Sequence, residues 1–301
     1  MISRFFHVII IGFVVITISC NSNNSEFLHN RAPADTTNIP NLPNFLNENQ
    51  ITAIVSDTTW LSNGKLRLRG IISVPQNGDD FRKADLDEVF WHKKDVIEGD
   101  FRGASFRAAN CSESDYSNSD FRIADMRWTN FNKSKLVNVN MSQAKMFHVH
   151  ANNADLSGSN FRGANMFGME AHRAILRNTD LSGALMKDSE FLEADFTHSV
   201  AIKARLIRAV LVGAKIDSAD FSYCDFTGAG LEWATFERTL LISTNMQGAH
   251  LQRANFNGAN LKDINFFGAE FESTNFNAAH NIPKDIEFML ENGFATGVYV
   301  K

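Results

Sequence analysis

Large apolar residues recur along this chain at an interval of five. The stretch "LQRANFNGANLKDINFFGAEFESTNF", residues 251 to 276, places them at Leu251, Phe256, Leu261, Phe266, Phe271 and Phe276. A half-buried strand repeats every two residues and an amphipathic helix near every 3.6, so neither explains the pattern. Counted in fives from Phe81, forty consecutive positions reach Phe276. Nearly all are Phe, Leu, Met, Ile, Val, Tyr or Trp, and the exceptions are Cys111, Ala151, Ala171 and Ala201. Two residues before each centre the chain mostly places a small residue, as at Ala104, Ser159, Ala164, Ala254 and Ala259. No insertion or deletion breaks the count, so an internal repeat governs the fold.

The units "ANFNG", "ANLKD", "ADLSG" and "ADFSY" resemble the A(D/N)LXX pattern of the pentapeptide-repeat family over residues 79–280. That resemblance implies an all-β right-handed quadrilateral β-helix, in which four pentapeptides make the four sides of one coil. Ten coils are expected, a rod of roughly 48 Å at the usual spacing between paired strands. The physics agrees: a large centre and a small residue two places earlier together fill a narrow shaft at native density. Residues twenty apart then stack in columns. One side reads Val96, Tyr116, Leu136, Leu156, Leu176, Phe196, Ile216, Phe236, Phe256 and Phe276. The side opposite carries Met126, Met146, Met166 and Met186, adaptable fillers of irregular space. At Ala151 and Ala171 the sizes are exchanged, with Val149 and Met169 in the small slot, so volume is kept. Ala201, preceded by Ser199, has no such compensation, which predicts a void or local bend. Cys111 and Cys224 both face inward more than five coils apart, over about 25 Å. A disulfide needs Cα atoms within about 7 Å, so both are expected as buried free thiols.

The segments flanking the rod differ in composition. Residues 51–78 read as two strands around a Ser-Asn-Gly turn, an N-terminal β cap. Residues 281–301 place Pro283 near a helix start, Ile282, Ile286, Met289 and Leu290 on one face, and Gly293 as a stop: a C-terminal cap. Capping is needed because an open coil end is a template for edge-to-edge association. Residues 1–20, "MISRFFHVIIIGFVVITISC", have a basic start and an apolar run too short for a bilayer span. They resemble a bacterial lipoprotein signal peptide, which implies acylation of Cys20; Thr17 stands where that pattern most often has leucine. Residues 21–50, rich in Asn, Ser and Pro, read as a flexible tether. Asn21 rather than Asp after the cysteine implies, by the enteric sorting pattern, the outer membrane.

Charge and chemistry narrow the function. Residues 79 to 278 hold 22 Lys plus Arg against 27 Asp plus Glu, within a chain of net charge −5, so no nucleic-acid partner is expected. No nucleophile elbow, phosphate loop or HExxH occurs, and a slim solid rod offers no concave pocket, so neither catalytic residues nor a cofactor is expected. A weak metal candidate is His150, Glu170 and Glu190 in one outward column with His172 beside them; a solvated polar column is the simpler reading. Asp100, Asp120, Asn140, Asn160 and Asp180 form a column whose short side chains suit bonds to turn backbone. Lys65, Arg67 and Arg69 face the acidic start of the rod, for charge matching or contact with anionic lipid. Outward aromatics are more telling. Trp128, Phe147 and Phe167 project from the methionine side, with His148 beside them and Ile207 two coils on, and exposed apolar groups of this kind mark contact surfaces. Val200, Ile202, Val210 and Val212 form a second outward cluster.

These features lead to a non-enzymatic scaffold or protein-interaction module of the bacterial cell envelope. A bilayer would hold it through acylated Cys20, a protein partner would meet the aromatic patch, and a homodimer is a further expectation. The family resemblance also implies an alternative, since quinolone-resistance relatives mimic DNA and bind DNA gyrase. The export signal and mild charge count against it. A metal-binding or enzymatic envelope protein is the remaining alternative.

Overall fold

The computed structural model describes strands β1 (Phe6–Ile11), β2 (Val14–Ser19), β3 (Asp57–Trp60) and β4 (Leu66–Arg69), and residues 75–291, which end in helix α1 (Lys284–Glu291). Strands β1 and β2 pair antiparallel, as do β3 and β4, the latter with Trp60 opposite Leu66. The second pair matches the two strands expected there, while the Ser-Asn-Gly turn between them lies outside the described residues. Cys20, the tether 21–50, Lys65 and Gly293 lie outside the described residues, as do the side chains of Arg67, Arg69, Met289 and Leu290. Among the described residues no helix is long and apolar enough to cross a membrane.

From Asp80 onward the chain repeats one local structure. The centre's carbonyl accepts the amide three residues on, as in Ala84 N–H to Phe81 O at 3.0 Å, closing a tight turn. The third residue of each turn lies in the left-handed region, as at Lys83 (φ 58°), and glycine takes this place at Gly103, Gly163 and Gly258 among others. Ile123 (φ 55°) is the costliest occupant, because a β-branched side chain there crowds its own backbone.

Successive coils are joined by parallel bridges between residues twenty apart, from Asp80 with Asp100 to Asn260 with His280. Each centre's N–H donates to a carbonyl nineteen positions ahead, as in Phe121 to Asn140 at 2.7 Å. The residue before each centre donates backward, as in Asp120 to Gly99 at 2.9 Å. The sides are therefore not continuous strands. Each spends most of its five residues on the turn and leaves one to bridge, so the sheets expected from an all-β reading are reduced to isolated ladders.

Centres and small slots are buried together in one continuous apolar core. Phe101 and Phe121 stack at 4.5 Å, and Phe236 lies parallel to Phe256 at 4.8 Å, one coil apart. Inward hydroxyls add a second set of rungs. Ser119, Ser134, Ser159, Thr239 and Thr244 each donate to the carbonyl of a centre twenty-three residues back, at 3.0, 2.8, 2.6, 2.6 and 2.9 Å. The Cys224 thiol fills the same slot and donates to Ala201 O at 2.8 Å. Cys111 and Cys224 are free and buried, and burial pushes the Cys111 thiol up to about 12 and the Cys224 thiol higher still. Neither is a nucleophile at neutral pH.

Val149 and Met169 are buried beside Ala151 and Ala171, as the exchanged sizes required. Of the void or local bend expected at Ala201, the bend is absent. Its N–H reaches Asp220 O at 2.8 Å and its carbonyl closes the turn to Ala204 at 2.9 Å, so the ladder passes unchanged. The rings of Phe196, one side earlier, and Phe221, one coil on, meet edge to face at 6.1 Å. The irregularity falls instead on Ser199, whose buried hydroxyl has no partner. By the pattern of the other slots it would donate to Leu176 O, which Thr179 already occupies at 2.7 Å.

At the far end Ile286 of α1 is buried within the core and Ile282 packs against it. Truncating Phe121 to Ala should cost about 3–5 kcal/mol, the usual range for a buried ring. Phe267→Ala, removing a side chain that is 75% exposed, should stay within about 0.5 kcal/mol. Urea denaturation midpoints measure both.

Candidate contact wall

A filled shaft leaves three outward positions in each pentapeptide: the residue before the centre and the two turn residues after it. The wall over the methionine centres gathers the aromatic patch. The backbone ladder sets its register: Trp128 N–H donates to Phe147 O at 2.9 Å, His148 to Phe167 O at 3.0 Å, Gly168 to Lys187 O and Asp188 to Ile207 O, both at 3.1 Å. Trp128, Phe147 and Phe167 thus lie along one edge on successive coils, with Ile207 two coils further on, past Lys187.

Phe147 and Phe167 are half-buried and touch at 5.7 Å with planes tilted 42°, and the His148 ring stands edge-on to Phe167 at 5.7 Å. Gly168 makes room for that imidazole, since a Cβ there would lie 2.5 Å from His148 Cε1. Trp128 is 52% exposed and takes the Arg127 guanidinium over its ring at 5.7 Å. The structure therefore brings Phe147, His148 and Phe167 together. It sets Trp128 one coil before them against Arg127, and Ile207 two coils past Phe167. Leu185, 38% exposed on the same wall, was missed. Its signal was present, for it is apolar at the position before a centre, where Asp or Asn is usual.

The other candidates divide. His150 Nδ1 lies 2.9 Å from Glu170 Oε2, while His172 Nε2 lies 3.3 Å from Glu190 Oε2. The four form two separate pairs. Among the described residues no group of three or more His, Cys, Asp or Glu is placed to hold a metal. The His172 Nδ1 is shut from solvent with no partner. Val200 and Leu240 are exposed one and three coils past Asp180 in its column, with Ile202, Ile242 and Tyr223 on the same wall; Val210 and Val212 belong to the opposite wall.

The Asp and Asn column binds turn backbone as expected. Oδ1 of Asp100, Asp120, Asn140, Asn160 and Asp180 accepts the N–H two residues on, at 3.3, 3.1, 3.1, 3.0 and 3.0 Å. Arginines on the same wall hold many of these carboxylates: Arg82 on Asp80, Arg102 on Asp100, Arg122 on Asp120 and Arg162 on Asp180. A shallow cleft of about 310 Å³ lies among Arg102, Arg122, Ile123, Ser142 and Gln143. Both of its guanidinium groups are committed to aspartates, which leaves no free acid or base there. Near the start of the rod, buried Asp87 is bound by Arg107 and accepts its backbone N–H at 2.9 Å. Asp80 and Asp87 thus find their cations within the rod.

Hydrogen bonds from Arg82 and Arg102 hold the Asp80 and Asp100 carboxyls below the ordinary value. Asp125 and Asp180 are also lowered, because bonds from Arg127, Ser182 and Arg162 outweigh the opposing effect of burial. A depressed folded pKa gives stability that is present above the unfolded value near 3.8 and lost as pH falls through the folded one. The thermal midpoint should therefore hold from about pH 5 to 8 and decline below about pH 4. Asp100→Asn should flatten part of that decline in a pH series of melting curves.

A family described as Pentapeptide repeats matches the chain in eight copies over residues 124–163, 164–200, 204–241 and 244–280. Comparison with curated proteins returns no match. Among solved structures, HetL of the cyanobacterium Nostoc sp. strain PCC 7120, a pentapeptide repeat protein involved in heterocyst differentiation regulation, is 19% identical. The match covers 64% of this chain and 87% of HetL, with a TM-score of 0.30. Full-length QnrB1, a plasmid-mediated fluoroquinolone resistance protein, is 15% identical over 69% of this chain and 91% of its own, with a TM-score of 0.31. A pentapeptide repeat protein of the Arabidopsis thaliana thylakoid lumen is 15% identical over 53% and 77%, with a TM-score of 0.17. The repeat match, not these superpositions, carries the assignment.

Proposed function

The chain belongs to the pentapeptide-repeat family, and from that premise we propose that it is a non-enzymatic interaction scaffold of the bacterial cell envelope. The family fold, a right-handed quadrilateral β-helix of ten coils in this chain, serves as a rigid post, capped by residues 51–78 and 281–301. Acylated Cys20 anchors it to the outer membrane through the tether 21–50, and a protein partner binds the wall over the methionine centres. The observation that carries this reading is the exposed Trp128 beside the packed Phe147, His148 and Phe167 on a rod whose interior is filled. Trp and Phe are enriched at the cores of protein contacts, and rings already packed on a rigid wall lower the ordering cost of binding. A DNA mimic needs an unbroken negative surface, whereas the column from Asp80 to Asp180 is matched by arginines.

Two measurements in cells test the proposal. Palmitate labelling of the wild-type chain is expected and should vanish in Cys20→Ala; persistent labelling would refute the anchor. A photo-cross-linking amino acid at Phe147 should capture a discrete protein, while one at Ser157 on the opposite wall should not. Equal capture from both walls, or none, contradicts the assignment.

A further inference from the structure

The contact wall carries a charge pattern as well as rings. Across the coils spanning residues 105 to 208 it presents Arg107, Arg127, Lys145, Lys187, Arg205 and Arg208 against two carboxylates, Asp125 and Asp188. Arg127 holds Asp125 and Arg208 holds Asp188, each at 2.7 Å, and Arg107 pairs with Asp87 of the preceding coil. Every carboxylate on this stretch is therefore matched. Three cations, Lys145, Lys187 and Arg205, have no ion-pair partner among the described residues.

Their positions matter. Lys145 and Arg205 share one column three coils apart, about 14 Å at the spacing of paired strands, with Asn165 and Leu185 between them. Lys187 follows Phe147 and Phe167 in the neighbouring column. The residues of the apolar strip, Phe147, Phe167, Leu185 and Ile207, thus alternate with cations that form no ion pair among the described residues, although Lys145 lies near enough to Asp125 to help lower its carboxyl and Arg205 is followed in its column by Asp225. We propose that this wall docks an acidic polypeptide segment, one that lays apolar side chains on the strip and carboxylates against Lys145, Lys187 and Arg205. The inference rests on the reading of this wall as a protein-contact surface and names the chemistry of its partner.

An anionic bilayer is disfavoured by the shape of the strip. A face that enters a membrane must push apolar groups about 5–10 Å into the headgroup boundary. Phe147 and Phe167 instead lie along the wall, half-buried and in mutual contact; between residues 105 and 208 only Trp128 and Leu185 of its apolar side chains stand more than a third clear, and Phe267 is the next to do so, three coils past Ile207. Flat rings edged by cations complement a polypeptide surface of opposite charge, which gives selectivity and a fast encounter rate.

The test uses the full mature chain and two fluorescein-labelled dodecapeptides, one alternating glutamate and leucine, the other lysine and leucine. The acidic probe is expected to bind about tenfold tighter, the discrimination that three exposed ion pairs supply. The gap should close at about 0.5 M salt, where screening shortens to a few ångströms. It should reverse in the Lys145→Glu/Lys187→Glu/Arg205→Glu variant, whose folding is checked by its melting curve. Equal binding of the two probes, or a preference that survives the triple reversal, overturns the proposal. So does salt-sensitive binding to vesicles of one-third phosphatidylglycerol in phosphatidylcholine that exceeds binding to the acidic probe. Capture from position 147 in cells that is unchanged by the triple reversal would leave the contact wall standing and sink only its acidic partner.

Discussion

Each coil is fastened to the next by backbone hydrogen bonds that only a twenty-residue circuit can satisfy. A centre's N–H reaches a carbonyl nineteen residues ahead, and the residue before it reaches back to the preceding coil. An inserted residue would displace every later donor from its acceptor and turn the large centres out of the shaft. That constraint explains the uninterrupted count of five from Phe81 to Phe276. It also explains why the interior is so restrictive: four sides this short enclose room for one large and one small side chain from each, with no space left for a ligand.

The inward hydroxyls show how polar groups survive in such a core. Ser119, Ser134 and Thr239 are tolerated because each donates to a centre's carbonyl that the turn has not saturated. Removing a hydroxyl costs one modest bond, whereas adding one without an acceptor leaves a buried orphan. Ser199 is such a case. With the interior committed to packing, recognition is left to the outer walls, and their regularity turns sequence spacing directly into surface geometry.

Much of this was legible in the chain. The five-residue period gave the inward slots, the stacked columns, the size exchange at Ala151 and Ala171, and the isolation of Cys111 from Cys224. The Asp and Asn column announced its turn bonds, because a short acceptor before a tight turn has few other uses. What sequence could not supply was the choice each outward side chain makes among neighbours one coil up or down. His150 and His172 stand close in the register yet choose different carboxylates, and on the opposite wall Arg82, Arg102 and Arg122 settle on aspartates two residues away while Arg162 reaches Asp180 on the next coil. The bend expected at Ala201 failed because backbone continuity outweighs one missing ring when Phe196 and Phe221 meet nearby. Leu185 carries no aromatic signal, and only its place before a centre marks it as outward.

Buried thiols, stacked columns and the contact wall all depend on a solid four-sided column between Phe81 and Phe276, and a crystal structure of the mature chain tests that most directly. It should show coils of twenty residues rising about 4.8 Å each, with the Phe101 and Phe121 rings stacked inside and Trp128, Phe147 and Phe167 on one outer wall. Continuous helix in this stretch, a hollow shaft, or those three aromatics on different walls would contradict it.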